Sequence, residues 1–516
     1  MPRGDAPLEG LREYAFRHQL LHQVTYDTVL KRAKREGHAK VAQWLAGLVA
    51  SDGLRAGDFL GLAAEHFEQA GDAAKAVEFH ARAAESASSR VAHERVLSHV
   101  ARAMVLLLPA DSTTDPVAQR AQSELRWRLL KARERTLDLV ARRDEQASDL
   151  AALAQLADAL DDDRRRAEVA RRCGLRAMKM ADWATMQSAA SQGTVCAARA
   201  GDDELRLQTL RLLATAQVLQ GAIEAGRALA LQALAETREL GLRGVEAQLL
   251  NTLSIAADQQ GDQMAALDLD RQSLQIARDT GDRINEAVCL SNLSEGWMKL
   301  GDLVQGRRDL DATLQMVRAN GDRFNEAATL TNLSTLALWQ GEETRALALA
   351  RLALNIAAAA QARDKEVLAG VRLGNAELAL GRWAAARLAY SQAQALALRI
   401  DRAFKHDASA GLSRVLLAEG DAAAAVAVLQ PVLDHVAVGG TLDGTEEPRR
   451  IELTCYQALA RASDPRDADW LARAHVALMT QAEAINDTTL RQGFLHNIPH
   501  HREIVAAWSK RATANI

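Results

Sequence analysis

The chain has 516 residues, enough for about three compact domains or for one long repeat array. Its formal net charge of −4 gives no global field for nucleic acid or anionic membrane, and no stretch has the roughly 20 uncharged apolar residues of a membrane span. Hydrophobic residues make up 48% of the chain but aromatic residues only 4%, and most of the apolar residues are Ala and Leu, which are strong helix formers. The composition therefore favours an all-α protein.

The four cysteines, Cys173, Cys196, Cys289 and Cys455, lie far apart and do not have the spacing of a metal site. This pattern indicates buried thiols in a reducing compartment rather than a disulfide framework. The first residues, Met-Pro-Arg-Gly-Asp, are not followed by the apolar run of a signal peptide. We therefore expect a cytoplasmic protein.

Two helices are predicted at the N-terminus, over Leu11–Leu30 and Lys31–Val49. The second opens with a basic run in which Lys31, Lys34 and Arg35 share one helix face. Such a face can contact phosphate, but charge runs are usually solvated faces and the whole chain is close to charge balance. Nucleic acid is therefore not a favoured partner.

The residues from Glu13 to Leu30 read Glu-Tyr-Ala-Phe-Arg-His-Gln-Leu-Leu-His-Gln-Val-Thr-Tyr-Asp-Thr-Val-Leu. This run resembles the segment that follows the ATPase module in bacterial STAND-type ATPases fused to class III adenylate/guanylate cyclases or to transcription regulators. The C-terminal run Phe494-Leu-His-Asn-Ile-Pro-His-His-Arg502 resembles the element that closes the helical arrays of that family. The resemblance implies tetratricopeptide (TPR) repeats between the two runs and a role in bacterial signal transduction.

The first half of the chain shows the repeat only weakly. Residues 57–90 give one repeat around a turn at Gly71-Asp72, and Ala110–Pro116 is predicted to be a loop. Residues 117–200 are predicted to be helical with an irregular period.

A regular repeat of forty residues runs from Asp203 to Val436. It is clearest where Arg283-Ile-Asn-Glu-Ala287 returns as Arg323-Phe-Asn-Glu-Ala327. Each repeat has a leucine followed by a small residue, and then a turn glycine. The six turn glycines are Gly221, Gly261, Gly301, Gly341, Gly381 and Gly420. Five positions after each glycine stands another small residue, in order Gly226, Ala266, Gly306, Ala346, Ala386 and Ala425. This is the TPR pattern, lengthened from the usual period of about 34 residues.

The sequence thus predicts an all-α fold, a TPR-like α-solenoid in which antiparallel helix pairs of about 40 residues form a right-handed superhelix. Four regions are expected. They are an N-terminal helical segment (1–56), a degenerate TPR-like region (57–200), six regular repeats (201–436), and a C-terminal loop with capping helices (437–516).

No motif for catalysis is found. There is no Gly-Lys pair to form a P-loop, and no His-Glu-x-x-His, Cys-x-x-Cys or Gly-x-Ser-x-Gly. His496 and His500 have the spacing of a zinc site on one helix, but Pro499 separates them and no further ligand completes the set. An ordinary solvated tail is expected there. We expect no enzyme activity, no cofactor and no metal.

The remaining candidate for function is the concave groove, which the first helix of each pair lines in TPR arrays. Asn292 and Asn332 hold the position whose asparagine bonds the backbone of the bound peptide in peptide-binding TPR domains. Such an amide both donates and accepts, but these two could equally bond neighbouring helices. The candidate groove residues are Asn251, Ser291, Asn292, Glu295, Lys299, Thr331, Asn332, Thr335, Trp339, Arg372 and Asn375.

Three hypotheses for function follow. The leading one is a non-enzymatic scaffold or sensor of a bacterial signalling system that binds a protein or peptide partner in the groove. The second is the C-terminal regulatory part of an adenylate/guanylate cyclase or STAND ATPase whose catalytic modules lie outside this chain. The third is a fragment of a transcription regulator whose N-terminal helices contact DNA.

Overall fold

The computed structural model of the chain describes residues 19–51, 56–107, 115–400 and 402–514. All regular secondary structure in these ranges is α-helix, as the composition predicts. The resembling run from Glu13 to His18 and most of the predicted loop Ala110–Pro116 lie outside the described residues.

The chain divides into two compact units, Met1–Thr136 and Leu137–Ile516. The described helices of the first unit are α1 (Gln19–Thr28), α2 (Lys31–Ser51), α3 (Ala56–Ala70), α4 (Ala73–Ser89) and α5 (His93–Leu106), followed by α6 (Pro116–Leu139), which ends in the second unit.

The second unit continues with a long series of helices joined by short turns. They are α7 (Arg143–Ala159), α8 (Asp163–Lys179), α9 (Trp183–Ala200), α10 (Asp203–Leu219), α11 (Ile223–Glu239), α12 (Arg243–Gln259), α13 (Gln263–Thr280), α14 (Arg283–Lys299), α15 (Leu303–Asn320), α16 (Arg323–Trp339), α17 (Glu343–Ala359), α18 (Arg363–Ala379) and α19 (Trp383–Arg399). After them come α20 (Lys405–Glu419), α21 (Ala422–Ala437), α22 (Pro448–Arg461), α23 (Asp467–Ala484), α24 (Thr488–His496) and α25 (Pro499–Ala514).

A left-handed residue closes each turn from the start of α7 to the start of α19. At Gly201, for example, φ is 66°, and the N–H of Asp202 donates to the carbonyl oxygen of Ala197 at 3.1 Å. This bond satisfies a carbonyl that the end of the helix would otherwise leave unpaired. The six predicted turn glycines all have positive φ. The predicted antiparallel helix pairs of about forty residues are thus confirmed.

The same turn occurs without glycine at Ala141, Asp161, Ala181 and Gln361, where φ lies between 48° and 62°. Helices α7 to α19 consequently begin at constant intervals of twenty residues, from Arg143 to Trp383. The expected irregular period of residues 117–200 is therefore wrong from Arg143 onward. The turns keep their geometry there, although an L-residue in the left-handed region costs about 1–2 kcal/mol.

Small residues allow the paired helices to approach closely. A Cβ on Gly226 would lie 2.6 Å from the carbonyl oxygen of Ala214, and one on Gly306 would lie 2.9 Å from Met298 Cγ. The alanines at the equivalent positions are buried, with Ala346, Ala386 and Ala425 at 0% exposure. These are the positions that the repeat pattern predicts to be small, and a larger side chain there would separate the two helices.

The repeats of the second unit also contact each other over long sequence distances. Arg143 Nε donates to the carbonyl oxygen of Ala360 at 3.3 Å, across 217 residues. Arg402 Nη1 donates to that of Leu219 at 3.2 Å, across 183 residues, and its guanidinium lies 5.1 Å from the centroid of the Trp183 ring. The array therefore curves until a later repeat touches an earlier one.

All four cysteines are free, and Cys196, Cys289 and Cys455 are buried while Cys173 is half-buried. None of the described helices is long and apolar enough to cross a bilayer.

Replacing a left-handed non-glycine residue by glycine should stabilise the array. Gln361 has φ 51°, so we expect Gln361→Gly to raise the free energy of unfolding by about 0.5–1 kcal/mol in urea denaturation. Ala228→Gly, at an exposed position inside α11, is the control and should lower it by about 1 kcal/mol. Equal destabilisation by both changes would contradict the role assigned to the turn residue.

Candidate functional site

The predicted groove residues lie on four consecutive first helices of the pairs. Asn251 is on α12, and α18 carries Arg372 and Asn375. Between them, α14 carries Ser291, Asn292, Glu295 and Lys299, and α16 carries Thr331, Asn332, Thr335 and Trp339.

Asn292 is used inside the fold. Its Nδ2 lies 3.5 Å from Asp270 Oδ1 on α13, and Ser254 Oγ donates to the other oxygen of that carboxylate at 2.7 Å. Asp270 is almost fully buried, and this burial raises its pKa to about 7 even though both hydrogen bonds favour the ionised form. For Asn292, the structure thus agrees with the hypothesis that the asparagine bonds a neighbouring helix.

Three other candidates also have partners within the protein. Thr331 Oγ1 donates to the carbonyl oxygen of Ala327 at 2.8 Å, and Thr335 Oγ1 to that of Thr331 at 3.3 Å. Asn375 Oδ1 accepts from the Tyr390 hydroxyl at 2.7 Å and from Arg414 at 3.0 Å. The array itself thus satisfies the two threonine hydroxyls and Asn375 Oδ1, whereas Asn375 Nδ2 is buried without an acceptor among the described residues.

Glu295 and Lys299 belong to an ion-paired cluster. Lys299 Nζ lies 2.8 Å from a carboxylate oxygen of Glu295 and 2.8 Å from one of Asp258. Burial disfavours the lysine cation, but the two carboxylates outweigh it and hold the pKa of Lys299 above its ordinary value. The Lys299 cation is thus paired within the protein.

A segment of the chain itself lies against the first helices at Arg372. Glu446 and Glu447, between α21 and α22, approach the Arg372 guanidinium to 3.3 Å and 2.6 Å. The backbone N–H groups of both glutamates donate to the Asp407 carboxylate at 3.2 Å. Burial and the nearby Glu446 raise the pKa of Asp407 to about 7. The array thus holds a non-helical acidic segment by its side chains and its backbone.

The C-terminal helices pack against the same repeats. Phe494 and Ile498 are buried in one hydrophobic cluster with Leu293 and Leu300, and Asn497 Nδ2 donates to the carbonyl oxygen of Gly301 at 3.0 Å.

His500 and His501 are buried as well, so the expected solvated tail is wrong at these two residues. The ring of His500 lies 6.0 Å from the ring of Trp339, centroid to centroid, and this brings the predicted groove residue Trp339 against α25. Pro499 begins α25, as the sequence predicts. Within the described residues, no group of three or more His, Cys, Asp or Glu side chains is placed to hold a metal ion.

Several polar groups on the first helices remain without a partner in the described part of the chain. The Asn251 Nδ2 is buried with no acceptor. The side chains of Ser291 and Asn332 are half-buried and make no hydrogen bond there. Arg211, on α10, belongs with them because its Nε is buried without an acceptor. Arg211 is not among the predicted groove residues, although it stands forty residues before Asn251 and the period places it at the equivalent position.

No family model and no curated protein matches the chain. Among solved structures, a Rap protein complexed with Competence and Sporulation Factor is similar, with 14% identity, a TM-score of 0.44, and coverage of 65% of this chain and 98% of that one. A STAND protein with a TPR sensor from Pyrococcus horikoshii aligns with 14% identity and a TM-score of 0.44, over 85% of this chain and 73% of that one. The apo form of the quorum sensor NprR from B. thuringiensis aligns with 14% identity and a TM-score of 0.43, over 71% of this chain and 100% of that one.

Likeness at this level carries no argument about function. The chain's own helix pairs, turns and small-residue positions give the fold, an all-α TPR-like α-solenoid.

The docking of α24 can be tested at Gly301. A Cβ there would clash with the backbone carbonyl of Gly493, whereas one on Gly341 would meet nothing within 4 Å, and φ is 77° and 76° at the two positions. Both alanine variants carry the same backbone cost, so we expect Gly301→Ala to lose about 1–3 kcal/mol more than Gly341→Ala in denaturant unfolding. Hydrogen exchange should show the extra loss of protection in α24 and α25. Equal effects of the two variants would argue against the close approach.

The buried Asp270 should make stability depend on pH. Because its folded-state pKa of about 7 exceeds the unfolded value of about 3.9, the folded protein binds more protons in this window and stability falls as pH rises through it. We expect the advantage of Asp270→Asn over wild type, in free energy of unfolding, to grow by about 2 kcal/mol between pH 5.5 and 8. Asp268→Asn, at an exposed site on the same helix, should show no such growth.

Proposed function

We propose that this chain is a non-enzymatic scaffold or sensor that binds an extended protein or peptide segment across the first helices of its second unit. The observation that carries the proposal is the row of uncommitted polar side chains Arg211, Asn251, Ser291 and Asn332. They lie on four consecutive first helices, α10, α12, α14 and α16. Buried or half-buried groups of this kind normally have partners, and a bound segment supplies them.

The spacing of the row suits an extended chain. Packed helices lie about 8–10 Å apart, and an extended backbone advances about 3.3 Å per residue. One first helix therefore corresponds to about three residues of ligand. Amide side chains, which both donate and accept, can bond to the N–H and C=O groups that such a backbone presents.

The protein's own acidic segment supports this mode of binding. Glu446 and Glu447 are held by Arg372 through their carboxylates and by Asp407 through their backbone N–H groups, on α18 and α20. A segment from a partner would use the same two kinds of contact on the earlier first helices.

A more specific version places the chain in a bacterial cytoplasmic signalling system, as the C-terminal regulatory part of an adenylate/guanylate cyclase or STAND ATPase. The favouring observation is that Phe494, Asn497 and Ile498 of the resembling C-terminal run are the residues that anchor α24 and α25 to the repeats. The reading frame upstream of Met1 tests this version. A P-loop module and a class III cyclase encoded there support it, and an unrelated upstream gene counts against it.

The proposed binding face is tested by capture of partners from host lysate on immobilised protein. We expect Ser291→Ala/Asn332→Ala to weaken capture about tenfold or more, because each lost hydrogen bond contributes about 0.5–1.5 kcal/mol. The control Glu224→Ala/Arg227→Ala removes an exposed pair on the second helix α11 and should capture as wild type does.

Equal capture by the Ser291/Asn332 variant and wild type would contradict the assignment of the face. A wild-type protein that captures nothing would contradict the scaffold function itself.

A further inference from the structure

Two arginines stand at equivalent positions on the first helices α8 and α10. Arg171 and Arg211 are forty residues apart, and both side chains are half-buried. The Nε of Arg211 is buried and has no acceptor, and no carboxylate in the described part of the chain forms an ion pair with its guanidinium. The neighbouring charge that acts on Arg211 is the like charge of Arg171.

This arrangement is unfavourable in the protein alone. Burial, together with the Arg171 charge, lowers the pKa of Arg211 to about 10. A desolvated cation beside a like charge costs stability unless an anion approaches it. Strongly perturbed groups of this kind concentrate at functional sites.

Other arginines of the array do have carboxylate partners. On α10 itself, Arg206 pairs with Asp203 and Glu236. On α18, Arg372 pairs with Glu446 and Glu447 of the acidic segment. Within the described ranges, Arg211 lacks such a carboxylate. Arg414 on α20 lacks one there too, but it donates to Thr454 and Asn375. Arg372 shows which group supplies a carboxylate on this face: a glutamate of a non-helical segment.

The next first helix extends the site with a further donor. Asn251 on α12 stands forty residues after Arg211, and its buried Nδ2 has no acceptor. Two consecutive first helices, α10 and α12, thus present buried side-chain N–H donors at equivalent positions, without an acceptor in the part of the chain that the structure describes. A guanidinium binds a carboxylate through two parallel hydrogen bonds, and an amide N–H can bond to a backbone carbonyl of the same ligand.

We propose that Arg211, with Asn251 on the next first helix, is the subsite that receives a carboxylate of an acidic peptide segment. This rests on the proposed function and deepens it, because it names the chemistry of the partner. The ligand enters with its Asp or Glu side chain at α10 and its backbone along α12.

The test is a titration of fluorescein-labelled hexaglutamate by fluorescence anisotropy at about 50 mM salt, where charge pairs are weakly screened. Hexaglutamine is the uncharged probe. We expect wild type to bind hexaglutamate at least tenfold more tightly than hexaglutamine, and Arg211→Gln to weaken hexaglutamate binding by about tenfold or more. Arg227→Gln, which removes one exposed positive charge on α11, should bind as wild type does.

The midpoint of thermal unfolding without ligand is a second measurement. A misfolded variant would have a lower midpoint, whereas the proposal expects a higher one. Arg211→Gln removes the unpaired charge and should raise the midpoint of unfolding, whereas Arg227→Gln should not. A variant that is less stable than wild type, or that binds hexaglutamate equally well, would overturn the assignment. So would equal wild-type binding of hexaglutamate and hexaglutamine.

Inorganic phosphate distinguishes a free anion from a peptide. If 10 mM phosphate stabilises wild type but not Arg211→Gln, while hexaglutamate fails to bind, the site takes a small oxyanion and the acidic-segment assignment is wrong. If the Ser291/Asn332 variant loses its captured partner while Arg211→Gln binds hexaglutamate normally, the proposed function stands and the subsite fails.

Discussion

A left-handed residue at every twentieth position is the constraint on which the second unit depends. From Ala141 to Gly381 it precedes each new helix, so α7 to α19 begin twenty residues apart and have 17 or 18 residues each. The six-to-one hydrogen bond that follows it fixes the direction of the next helix. Equal helices keep the repeats in register, so that residues forty apart occupy equivalent places on successive first helices. Arg211, Asn251 and Ser291 form a row because the spacing of forty residues between successive first helices is constant.

The sequence predicted this array well where glycine marks the turn, because glycine adopts positive φ without cost and is easily recognised. It failed between Arg143 and Ala200, where Ala141, Asp161 and Ala181 adopt the same conformation. There the packing of the helices outweighs the energetic cost of positive φ at a non-glycine residue. A prediction from residue types alone expects that cost to prevent the turn. The helices of that region still begin every twenty residues, but no glycine marks their turns in the sequence.

The candidate site could be predicted only in part. The first helices and their exposed positions follow from the repeat, and Arg211 was within reach of the same argument. The internal partners were not, since Asn292 is tied to Asp270 and Arg372 to Glu446 and Glu447. The two glutamates lie in a non-repetitive segment, and no periodicity links such a segment to a position on α18. Contacts of this kind depend on the three-dimensional path of the chain after the repeats end.

The long-range bonds of Arg143 to Ala360 and of Arg402 to Leu219 change how the array holds together. In a simple solenoid each repeat interacts only with its neighbours, so the ends can fray and unfolding can spread one repeat at a time. Here a repeat that opens breaks contacts with another some five repeats away. The stability of one part of the second unit therefore depends on distant parts, and we expect its repeats to unfold together rather than one after another.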